Sequence, residues 1–85
     1  MAVYSILVKD SVRKDLESVP KGDLQRIMNR IGSLATNPRP VGSEKLTGQD
    51  RYRIRQGKYR ILYSIHDLEL TVWVVKVAHR RDVYR

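Results

Sequence analysis

No cysteine occurs in the 85-residue chain. That excludes a disulfide framework, a cysteine zinc site and a thiol nucleophile. Long apolar runs are missing too. The longest, Leu70 to Val77, is interrupted by Thr71 and Lys76, and a membrane-spanning helix needs about 20 consecutive apolar residues. Met1 to Lys9 lack the basic segment and extended apolar run of a signal peptide, so the expectation is a cytoplasmic protein with no membrane contact. There is no repeat, low-complexity tract or linker, and residues 1–85 read as a single domain. Hydrophobic residues make up 41%, too many for a disordered chain. Acidic residues are scarce: 9 against 17 lysines and arginines, for a net charge of +8.

The positive excess is uneven. Residues 1–50 carry eight basic and six acidic side chains, while residues 51–85 carry nine basic and three acidic ones. Seven of those nine are arginine. Arginine's planar fork matches phosphate oxygens and stacks on bases better than a lysine ammonium does. A polyanion meeting the C-terminal part is the reading this supports.

Local patterns give an α+β order. Ala2 to Val8 is short and β-branched, the mark of a strand. Asp10 or Ser11 caps a first helix with Val12, Leu16 and Val19 on one face. Gly22 or Asp23 opens a second, whose Leu24, Ile27, Met28, Ile31, Leu34 and Ala35 form one apolar stripe. Asn37-Pro38-Arg39-Pro40 ends it, and residues 37–50 form a long connection with Leu46 as the expected anchor. Three strands follow: Tyr52–Arg55, Lys58–Ile65 and Leu70–Ala78. The expected architecture is an N-terminal strand, a two-helix hairpin and a three-stranded antiparallel meander. These make a four-stranded sheet with the helices on one face, and the first strand adds antiparallel.

Strand alternation then sorts the side chains. With Gln56-Gly57 as a two-residue turn and a three-residue second loop, Tyr52, Ile54, Tyr59, Ile61, Tyr63, Ile65, Thr71, Trp73, Val75 and Val77 face the helices. The other face holds Arg53, Arg55, Lys58, Arg60, Lys76 and, if the strand persists, Arg80, around an apolar floor of Leu62, Val72 and Val74. Trp73 and Tyr4 are expected in the core. An unbroken last strand points His79 toward the helix side.

The run YRIRQGKYRILY (Tyr52–Tyr63), the upstream KLTG (Lys45–Gly48) and the ending KVAHRRDVYR (Lys76–Arg85) resemble the RelE branch of the RelE/ParE toxin superfamily, in the right order across essentially the whole chain. The resemblance implies the toxin of a type II toxin–antitoxin pair. Such a toxin enters the ribosomal A site and cuts the mRNA codon displayed there. The RNA's own 2′-OH attacks the phosphorus, leaving a 2′,3′-cyclic phosphate and a 5′-OH, with no metal or other cofactor. It also implies an acidic RelB-like antitoxin, and operator DNA bound only through the toxin–antitoxin complex. By position, Arg53 and Arg55 match two basic residues of the first meander strand. Arg60 matches the arginine on the scissile phosphate, Arg80 the basic residue after the last strand, and Tyr84 the C-terminal tyrosine that orients the reacting nucleotide. Lys45, Lys58, Lys76 and Arg81 complete the expected RNA-binding set.

The chain departs from the family where lysines often stand. Arg53 and Arg55 cannot act as bases, because a guanidinium stays protonated. Histidine is the side chain type suited to proton transfer at neutral pH, so that role falls to His79, with Tyr84 next. Two other readings use the same residues: a ParE-like inhibitor of DNA gyrase, and an RNA-binding module without catalysis.

Overall fold

A computed structural model describes residues 3–81. Within them β1 (Ser5–Val8) leads into α1 (Asp10–Glu17) and α2 (Lys21–Ser33), then β2 (Glu44–Lys45), β3 (Arg51–Gln56), β4 (Tyr59–His66) and β5 (Thr71–His79). The strands form one mixed sheet in the order β1-β5-β4-β3-β2. The expected four strands are thus joined by a fifth, the two-residue β2, which pairs Glu44 with Arg53 and Lys45 with Tyr52.

β1 runs parallel to β5, not antiparallel as expected. The helices do return the chain to its starting end, since the Tyr4 amide donates to the Ala35 carbonyl at 2.7 Å. β3 therefore starts at the same end of the sheet as β1 and runs the same way. Two hairpins later β5 runs that way too. β4, the antiparallel choice, has both edges taken by its hairpin partners, so only the edge of β5 is open. β1 covers Thr71 to Val74 of that edge. α1 covers the next part, where Asp15 accepts the Val77 amide at 3.3 Å and meets the Lys76 ammonium at 3.5 Å.

The core lies between the helices and one sheet face. Val12, Ile27, Leu34, Ile54, Ile61, Tyr63, Val72 and Val74 are fully buried in it. Met28, placed by periodicity in the stripe of α2, is 43% exposed at the margin of that stripe. Tyr4 packs against the core edge and donates its hydroxyl to Asp67 at 2.6 Å.

Three register details differ from expectation. First, the β3–β4 turn is Gly57-Lys58, so Arg55 opposes Arg60 and Arg53 opposes Leu62. Gly57 takes φ +59°, which suits the first position of a tight hairpin turn and strains any other residue. Second, the β4–β5 loop has four residues, because His66 pairs with Thr71. That reverses the alternation: Val72 and Val74 enter the core, and Trp73 joins Ser64 on the outer face. Third, β5 carries a bulge. Tyr63 pairs with Val74 and Leu62 with Lys76, leaving Val75 as an extra residue. The bulge restores Val77 to the core.

The long connection is anchored by Pro38 and Arg39, not by Leu46, which is half-buried outside the core cluster. The Tyr63 hydroxyl donates to the Pro38 carbonyl at 2.7 Å. Arg39 grips Asp67 through both guanidinium ends, at 2.8 and 3.2 Å, and lies over the Tyr52 ring. Arg39 and Tyr4 together hold the Asp67 carboxyl down to about 2.

Candidate active site

Residues 51, 53 and 55 alternate with the core-facing Tyr52 and Ile54, so Arg51, Arg53 and Arg55 form one row on the outer face of β3. Arg60 and Leu62 stand opposite Arg55 and Arg53 on β4. β2 adds Glu44 across from Arg53. The result is an acidic side chain set among three arginines. Glu44 Oε2 accepts from Arg53 at 2.6 Å. That hydrogen bond holds the Glu44 carboxyl below its ordinary range, and the charges of Arg53, Arg55 and Arg60 push the same way.

The three arginines differ in exposure. Arg55 is exposed, Arg53's side chain is 16% exposed, and Arg60 is only 8% exposed although it lies on the face away from the helices. A guanidinium screened from bulk water interacts more strongly with a charged ligand than an exposed one does. Opposed like charges across a ladder are destabilising by up to roughly 1 kcal/mol, so this part of the sheet is not optimised for stability alone.

The other predicted residues scatter around this cluster. Lys58 sits in the adjoining turn, and its carbonyl accepts the Arg80 amide at 2.7 Å, which brings Arg80 to the same end of the sheet. Lys76 is on the outer parity beside Leu62, but its ammonium is turned to Asp15 of α1. Lys45 shares the opposite parity with Tyr52 and lines a separate cleft with Arg39, Asp50 and Asp67. His79 opposes Tyr59, on the helix side, and its ring meets the tyrosine edge-on at 5.5 Å. There it borders a cleft of about 360 Å³ with Asp15, Lys76 and Arg81. Tyr84 lies outside the described residues.

Two residues at the site were missed from the sequence. Arg51 belongs to the RxRxR alternation but fell just before the expected strand. Glu44 stands beside the KLTG run, yet its place depends on the short β2. Among the described residues, no group of three His, Cys, Asp or Glu could hold a metal ion, and no helix is long and apolar enough to cross a membrane.

Comparison with known proteins decides the family. Residues 6–84 match the model of the ParE toxin of type II toxin–antitoxin systems, parDE. The chain belongs to the RelE/ParE family of type II toxins. It is 34% identical over 86 residues to the toxin RelG of Mycobacterium tuberculosis, covering 96% of this chain and 97% of the relative. Its fold superposes on the RelBE2 toxin–antitoxin complex of the same organism with a TM-score of 0.83 at 29% identity, covering 96% and 97% of the two chains. The archaeal RelE–RelB complex of Pyrococcus horikoshii gives a TM-score of 0.81 at 28% identity, covering 95% and 99%. The α+β toxin fold of these structures is the fold of this chain.

Proposed function

We propose that this toxin is a ribosome-dependent endoribonuclease that cuts mRNA in the A site. The observation that carries the reading is the convergence of Arg53, Arg55 and the screened Arg60 with Glu44 on the outer face. In-line cleavage needs cations on the phosphorane oxygens, a proton acceptor for the 2′-OH and a donor for the departing 5′-oxygen. The arginines supply the first. Glu44 is the titratable group inside the cluster, and it takes the 2′-OH proton as the 2′-oxygen bonds to phosphorus. A phosphate drawn to Arg53 loosens that residue's hold on Glu44, which raises the carboxylate's basicity when substrate is bound. The P–O5′ bond then breaks, and the leaving oxygen takes a proton from the phenol of Tyr84, the residue that the family resemblance assigns to the reacting nucleotide. His79 is the second titratable group near the C-terminal end of the chain.

Relatives of this chain are found in complexes with RelB antitoxins, and we propose the same class of partner here. An acidic antitoxin segment would neutralise the arginine face, and the complex would reach operator DNA through the antitoxin. The site of action would be the cytoplasm, where the ribosomes are. The matched family description favours a second reading, a ParE-like inhibitor of DNA gyrase. One experiment divides the readings. The purified protein is added to programmed ribosomes, to naked mRNA and to a gyrase supercoiling assay, and RNA ends are mapped by primer extension. Codon-spaced cuts on ribosomes alone support the proposal. Lost supercoiling with intact mRNA supports the ParE reading.

A further inference from the structure

The outer face does not end at Arg53. Arg51 continues the row toward the other end of the sheet and stands opposite Ser64, which in turn stands opposite Trp73. At about 3.3 Å per residue, the row from Arg55 to Arg51 spans roughly 13 Å. It leads from the proposed cleavage site to an aromatic platform. Trp73 is on this face because the four-residue loop reverses the alternation of β5, before the bulge at Val75 restores it. It separates two clefts. One, of about 210 Å³, is lined by Lys9, Arg51, Ser64, His66, Trp73 and Val75. The other, of about 290 Å³, is lined by Leu7, His66, Glu69, Thr71 and Trp73. Both thus share the indole and the His66 imidazole.

A half-buried indole on an open sheet face, with cations on one side, is suited to an unpaired base: the ring stacks, and the cations hold the adjoining phosphates. Charge chooses the side. Lys9 and Arg51 border the first cleft, whereas Glu69 borders the second and disfavours phosphate there. We propose that Trp73, Arg51 and Lys9 form a second nucleotide subsite, which stacks a base of the same single-stranded RNA a short distance from the cut. The occupant follows from the ribonuclease reading and from the unbroken arginine row. The subsite adds grip and register to the substrate strand without touching the reacting phosphate.

Trp73 is the single tryptophan of the chain, so its fluorescence reads the subsite directly. The full-length toxin is titrated with hexauridylate and hexaadenylate while binding is followed separately by anisotropy of an end-labelled oligonucleotide. Stacking quenches Trp73 in step with binding. Base–aromatic stacks contribute about 1–3 kcal/mol, so Trp73→Ala weakens binding by roughly 5- to 150-fold and Trp73→Phe restores much of it. Arg51→Ala and Lys9→Ala weaken binding while the unfolding midpoint stays near wild type. Binding without any change in Trp73 emission overturns the subsite, and wild-type affinity in Arg51→Ala and Lys9→Ala does so even where Trp73→Ala fails to fold. An acidic peptide that shifts Trp73 emission where RNA does not also overturns it, and assigns the face to a protein partner. Quenching with uncut ribosomal mRNA leaves the subsite standing and removes the endonuclease reading. Cutting without quenching does the reverse.

Discussion

Tyr63→Phe removes one oxygen from the centre of the fold. The ring is fully buried, stacks on Tyr52 at 5.9 Å, and donates its hydroxyl to Pro38 at 2.7 Å. Phenylalanine keeps the packing and loses the donor, and the buried Pro38 carbonyl then lacks this partner. A net hydrogen bond contributes about 1 kcal/mol, and a stranded buried acceptor brings the loss to roughly 1–3 kcal/mol. For a domain of this size each kcal/mol moves the thermal midpoint by about 4–8 °C. Urea unfolding at neutral pH should show a lower midpoint with an unchanged slope. Alkaline pH supplies an independent check. Burial pushes the Tyr63 phenol up to about 12 from its ordinary value of 10.0. A raised folded-state value means that the stabilisation is complete below pH 10. It is lost as pH rises from about 10 through 12, because the unfolded chain gives up its proton first. One such proton contributes a slope of up to about 1.4 kcal/mol per pH unit. Tyr63→Phe should flatten that limb. An unchanged midpoint at pH 7 and an unchanged alkaline slope would refute the view that this hydroxyl pins the 37–50 connection.

Further outcomes are expected at the site and in the fold. Arg60→Ala and Arg80→Ala should each remain folded by circular dichroism yet cut ribosome-bound mRNA slower by on the order of 10² or more, the scale for an oriented charge at a transition state; wild-type rates in both sink the site assignment. Glu44→Gln should lose on the order of 10² in cleavage rate while binding RNA at least as tightly, since an anion has left the phosphate site; His79→Gln should keep most of its rate but unfold earlier, through its lost contact with Tyr59, and the opposite result transfers the proton to the imidazole. The Asp67 carboxyl is held down to about 2, so its stabilisation is present above its ordinary value of 3.8 and lost as pH falls toward 2; Asp67→Asn should flatten this acid limb in urea titrations. Ile61→Ala, at a fully buried position, should cost about 2–5 kcal/mol, and a smaller loss would mean that the core collapses around it.

The helices and the central strands were legible because their patterns are one-sided. Ile27 and Ile31 repeat at helical spacing, Tyr52 and Ile54 alternate with Arg51, Arg53 and Arg55, and Ile61 and Tyr63 follow on the same face across the hairpin, leaving one way to bury them. β5 offered no such contrast. In Thr71-Val72-Trp73-Val74-Val75 both parities are apolar, so only the loop length and the bulge decide which side is core, and neither has a local signature. The direction of β1 was hidden for a different reason: it depends on which edge of the meander stays open, a property of the whole sheet. The arginine cluster emerged from alternation alone, whereas Glu44 reached it through a two-residue strand too short to announce itself. Lys76 and Lys45 show the limit of counting charges. The first is turned to Asp15, and the second lies on the other face.

The bulge in β5 also makes chain length negotiable in an unusual place. Val75 stands between two residues that pair with neighbouring positions of β4, Val74 with Tyr63 and Lys76 with Leu62. Removing it would leave every ladder partner where it is, so a one-residue deletion in the middle of the sheet is compatible with the same core. Because positions 74 and 75 are both valine, removing either gives the same chain; removing a residue from β3, which pairs with β4 without a bulge, would instead slide one half of that strand against its partner and turn its buried residues outward. Length variation among descendants of this gene should therefore be tolerated at position 75 as it usually is only in surface loops, and the deleted form would keep the fold while losing the local bend that sets Lys76 and the Val77 amide against Asp15.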